Sequence, residues 1–193
     1  MFTGIAAAAL AACLAAAGMT GESLPPAPAV LSISIGMRGT TADMRLRDTD
    51  HVPSGMVFVP PFILRHYHAA DAVFERVTLR TCAAGGAVTG MELSGSHGQE
   101  ALALARKKFS LRPGERTDEH PLPGAGAEWQ YAKSFAQDVR LSLRVHGGRA
   151  ELVLHSPAAE AQCRRKLEEA RRQMADVLAD REQQRAAQRG AAF

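Results

Sequence analysis

Two short stretches carry residue types that can do chemistry. In "SGSHG", Ser94 to Gly98, a serine and a histidine stand side by side between a strand-like run and a helix-like one. A nucleophile elbow holds its serine on such a strand-turn-helix, so Ser96 with His97 is the candidate pair for acyl transfer. Helix capping explains the same serine, because Gln99 follows three residues later and completes a capping box. In "RHYHAADAVFE", His66 and His68 are two residues apart, which on a strand puts both imidazoles on one face. With Asp71 and Glu75 nearby as oxygen donors, these are the side-chain types of a metal site. Both sets together describe a small metal-dependent or serine hydrolase. Neither is closed by spacing: no residue is fixed as a third metal ligand, and no Asp…His order downstream of Ser96 is compelling on a chain this short. The glycines between 85 and 98 match neither GxxxxGK[ST] nor GxGxxG, so no nucleotide loop and no cofactor is expected.

Two β-hairpins and two helices must position these residues. In "VRLSLRVHGGRAELVLHS", with Gly147-Gly148 as the turn, Val145 meets Ala150, Leu143 meets Leu152 and Leu141 meets Leu154 on one face. Arg144 then meets Glu151 on the other face. Upstream, "VFERVTLRTC" and "AVTGMELSG" form a looser hairpin around Ala84-Gly85-Gly86, with Val77 and Leu79 on one face. A helix follows each hairpin. The first, from "SHGQEALALARKKF", presents Leu102, Ala105, Arg106 and Phe109; the second starts at the cap Ser156 with Pro157 at its first position. On this second helix Cys163, Leu167, Ala170, Met174 and Val177 repeat at steps of four and three, a stripe for its own sheet or for a partner helix. "VLSISIG" and Met44 to Arg47 read as strands, "EWQYAKSF" as an extra strand, and Pro60-Pro61 splits "GMVFVPPFIL" or confines it to an edge. The expected fold is α+β: an antiparallel sheet of two β-hairpins plus extra strands, two helices packed on one face, β-β-α twice.

The chain has 193 residues, 46% of them hydrophobic but only 5% aromatic, and a net charge of +3 with cations scattered among acids. No basic block suggests nucleic acid. Between Ile5 and Ala17 the sequence is uncharged and almost entirely Ala and Leu. It is too short for the roughly 20 residues of a membrane span, yet fits the apolar core of a secretory signal. Residues 1–17 are therefore read as an export signal, 18–29 as a Pro/Gly/Ala linker, 30–180 as one α+β domain and 181–193 as a polar helix end or tail.

Leu10-Ala11-Ala12-Cys13 resembles the lipobox of bacterial lipoproteins. The resemblance implies cleavage before Cys13, a lipid anchor on that cysteine as the membrane contact and, with Leu14 following, the outer membrane. Cleavage at Ala15-Ala16-Ala17 or Ala27-Pro28-Ala29 would instead release a soluble periplasmic protein, and a packed Ala-rich helix would leave it cytosolic. With Cys13 lipidated, the remaining Cys82 and Cys163 can pair in an oxidising compartment. A non-enzymatic envelope protein with a small binding or structural domain is the first expectation, and the small periplasmic hydrolase is the alternative. A protein partner could meet the helix over 157–180.

Overall fold

The computed structural model describes residues 24–111 and 129–190. The segment 1–17 with Cys13, residues 18–23 of the linker, residues 112–128 and residues 191–193 lie outside the described residues. Along the chain run α1 (Gly39–Arg47), β1 (Val52–Val59), β2 (Phe62–His68), β3 (Arg76–Cys82), β4 (Val88–Gly95), α2 (Gly98–Phe109), β5 (Trp129–Phe135), β6 (Val139–His146), β7 (Arg149–His155) and α3 (Pro157–Gly190). The seven strands form one antiparallel sheet, ordered β1-β2-β3-β4-β7-β6-β5. The fold is α+β.

Alternation sets which face of this sheet is buried. Val77 and Leu79 of β3, Met91 and Leu93 of β4, Leu141, Leu143 and Val145 of β6, and Ala150, Leu152 and Leu154 of β7 project from one face, each at most 3% exposed. The β6–β7 hairpin has the register its sequence requires, Leu141 opposite Leu154 and Leu143 opposite Leu152. Its turn residues Gly147 and Gly148 have φ of +55° and +77°, the left-handed values that favour glycine. A slip by one residue would turn this apolar row to the opposite face.

α1 and α2 close the buried face with Ala42 and Leu46, and with Ala101, Leu102, Ala105 and Phe109. α1 replaces the strand expected over Met44 to Arg47. Its buried positions Gly39, Ala42 and Leu46 are three and four apart, whereas Met44 is exposed, so the period is helical. α1 is tied to β2 by Asp43, whose carboxylate accepts hydrogen bonds from Arg65 and from the Tyr67 hydroxyl. Burial, then the hydrogen bond to Asp43 and its charge, hold the Tyr67 phenol above its ordinary pKa, so it stays a donor through the physiological range. "VLSISIG" is likewise no regular strand. Val30 and Ile33 bond to each other across a tight turn and are both buried, a spacing of three where a strand needs two.

The expected pair of helices on one face is also corrected, because α3 starts on the other face. Cys82 follows Val77 and Leu79 out of phase and pairs across the sheet with Phe62, so it points away from the main core. Its sulfur stands 2.10 Å from that of Cys163, with Cα atoms 5.6 Å apart. Around this link, Arg80 donates to Glu160 at 2.6 Å and to Glu92 at 3.0 Å, and the Arg164 guanidinium lies 5.6 Å from the centre of the Phe62 ring. Ser156 caps the helix as expected, accepting from the Ala159 N–H at 3.2 Å. Leu167 is half-buried, and from Glu168 to Arg189 every residue is exposed, Met174 at 62% among them. At about 1.5 Å per residue, the 34 residues of α3 extend roughly 50 Å, and most of that length is clear of the sheet. At one sheet edge, β1 is exposed along its whole length, and Pro60-Pro61 separates it from β2.

A Cys82–Cys163 bond closes a sequence separation of 81 residues, a constraint on the unfolded chain worth about 2–5 kcal/mol. Cys163→Ser is expected to lower the unfolding free energy by about that amount in a denaturant titration while keeping the β-sheet circular dichroism. An unchanged midpoint would show that the link contributes nothing.

Candidate functional site

Where α2 crosses the sheet it leaves part of the core reachable from outside. The hollow lies between the second half of α2, the Val30-Leu31 turn and the loop 69–75, with a volume near 660 Å³. Its walls are Val30, Leu31, Ala72, Val73, Phe74, Leu104, Ala105 and Phe109, and Leu152 of β7 reaches it from the core. Leu104 sits one position off the core stripe of α2 and is 49% exposed at the wall. Lys107 and Lys108, both exposed, are on its rim. Ligand pockets commonly have volumes of about 300–1,000 Å³ and mostly apolar walls. This groove meets both conditions.

Two local constraints hold the far wall. The loop is closed by the Ala69 N–H donating to the Glu75 carbonyl at 2.8 Å. It then presses on the end of β4, where a Cβ on Gly95 would stand 2.0 Å from the Val73 carbonyl oxygen; only glycine fits there. The second constraint is His51, 2% exposed, whose Nε2 lies 3.1 Å from the Phe74 carbonyl oxygen and whose Nδ1 lies 2.9 Å from that of Thr49. The imidazole thereby links the exit of α1 to the groove wall. Neither residue stood out in the sequence: a lone histidine and a strand-end glycine carry no local pattern.

Ser96 does not cap α2. The helix N-cap is His97, without a side-chain cap bond, and the Gly98 N–H donates 2.8 Å to the Gly148 carbonyl of the β6–β7 turn. That tertiary acceptor takes the place of the capping box. Ser96 instead donates its hydroxyl to Glu75, and its N–H points to the same carboxylate at 3.3 Å. These two hydrogen bonds hold the Glu75 carboxyl below the usual range. A hydroxyl given to a carboxylate is not the serine–imidazole pair that acyl transfer needs.

His66 and His68 share one face of β2, as their spacing requires. His66 Nδ1 is 3.1 Å from the Thr78 hydroxyl, while His68 and Asp71 line a separate hollow beside Asp50. Among the described residues, no group of three or more His, Cys, Asp or Glu side chains is arranged to hold a metal ion. Nor, among those residues, is any helix long and apolar enough to cross a membrane.

Two stability measurements check this site. Gly95→Ala and His51→Ala should each cost about 1–3 kcal/mol, through a backbone clash and through an unpaired buried carbonyl respectively; wild-type midpoints would contradict the wall as described. Glu75, with its lowered folded pKa, stabilises the fold fully above the ordinary carboxylate range and loses that contribution as pH falls through the lowered value. Ser96→Ala should therefore give a shallower loss of stability on acidification below about pH 5, read from urea midpoints against pH.

No protein-family model, curated protein or solved structure matches this chain, so the chemistry of the site rests on the residues described above.

Proposed function

We propose that this chain is a non-enzymatic protein of the bacterial cell envelope, tethered by its N-terminal segment, whose domain binds an apolar ligand in the groove between α2 and the loop 69–75. The observation that carries this reading is the groove itself, an apolar cavity near 660 Å³ open to the surface. The chain order adds to it. The linker over 18–29 leads directly into Val30 and Leu31, which are groove residues, so an anchor on Cys13 would hold the groove mouth within a linker's length of the membrane. Cysteines at disulfide distance fit an oxidising compartment, and Leu14 after Cys13 fits the outer membrane. The exposed Met174, Val177 and Leu178 of α3 offer a partner protein a helical surface over 157–180.

Titration with the neutral apolar dye Nile red tests the ligand site. The chain should bind one dye with a blue-shifted emission, and Leu104→Glu, a change at a half-exposed position, should abolish that signal without moving the melting temperature. Equal dye binding by the variant, or none by either protein, would remove the reading.

A further inference from the structure

The groove has an apolar body and a charged rim of one sign. Among the described residues that line it are Lys107 and Lys108, consecutive on the last turn of α2, and no Asp or Glu. Consecutive helical residues lie about 100° apart around the axis, so two adjacent lysines span the rim instead of stacking on one spot. The C-terminal end of α2 carries an opposing helix dipole of about half a negative charge. Two full cations outweigh it. The last turn is also partly neutralised, since the Leu111 N–H donates to the Arg106 carbonyl and Lys133 Nζ donates to that of Ser110.

We infer that the groove takes a single-chain anionic amphiphile: an alkyl or acyl tail against Leu104, Phe109 and Phe74, and a carboxylate or phosphate head at Lys107 and Lys108. This rests on the reading of the groove as a ligand site, and charge complementarity is what it adds. A cationic head would meet two like charges at the Lys107–Lys108 rim. A neutral head would gain the tail contacts alone. The tail supplies most of the affinity, about fourfold for each methylene buried, and the rim selects the head. His51, its ring nitrogens directed at Thr49 and Phe74, closes the floor without competing for the anion.

The test uses the full chain with bound Nile red, displaced in parallel by laurate, lauroyl lysophosphatidate, monolaurin and dodecyltrimethylammonium, amphiphiles with tails of similar size and heads of different charge. The two anions should displace the dye at the lowest concentrations, and their ratio identifies carboxylate or phosphate as the better head. Lys107→Glu with Lys108→Glu should weaken the anions by roughly five- to thirtyfold while leaving monolaurin unchanged. Raising the ionic strength from about 0.1 M to about 1 M, which shortens the screening length from about 10 Å to about 3 Å, should reduce the preference in the same direction. Equal potency of all four, or a lead for the cation, overturns the inference while the groove stands as a ligand site. Dye binding that none of them displaces also overturns it, and absence of dye binding altogether overturns the reading beneath it.

Discussion

β4 and β7 are separated by more than fifty residues of chain, yet Met91 lies opposite Leu154 and Leu93 opposite Leu152. This one pairing turns two independent meanders, β1–β4 and β5–β7, into a single sheet. Each meander alone would present an apolar face with an open edge. Joined, they bring ten almost fully buried side chains into one surface, each worth on the order of 1.5–3 kcal/mol when large and fully buried. The joint also places the β6–β7 turn beside the end of β4, where the Gly148 carbonyl receives the first N–H of α2. The position of α2, and with it the groove, follows from the joint.

Strand parity then divides the remaining work between the two faces. Residues in phase with Leu79 and Leu152 face α1 and α2 and form the main core. Residues out of phase, Phe62, Arg80, Cys82 and Glu92, face outward, and there the base of α3 is held by the sulfur link, the Glu160 ion pair and the Phe62 ring. The two faces therefore serve different ends. One carries the groove, bounded by the loop that Gly95 and His51 keep in place; the other carries a long exposed helix. Tension on that helix would be transmitted to the sheet through β3, a strand paired on both sides.

How legible this was in the sequence depended on whether the deciding contact was local. The register of β6–β7 could be read because glycines at the turn and alternation in both strands give the same answer. α1 is not legible as a helix because its nine mostly polar residues show too few apolar positions to separate a period of two from one of 3.6. The start of α2 is not legible locally because the acceptor of its first N–H, the Gly148 carbonyl, comes from fifty residues downstream. The stripe of α3 was visible but its destination was not, although the odd spacing from Val77 and Leu79 to Cys82 already put that cysteine on the outward face. The groove left no signal, being built from a turn, a loop and a helix distant in the chain.

The proposed placement in the envelope depends on how the chain is processed, and intact mass measures that directly. The protein would be expressed with its own N-terminus in a bacterial host and weighed without reductant and then with it. The expected result is a chain beginning at Cys13 with added acyl mass, gaining about two mass units when one disulfide opens. A full-length, unmodified chain with three free thiols would contradict the account, because the opening alanines would then belong to the folded protein and Cys82 and Cys163 would be ordinary thiols.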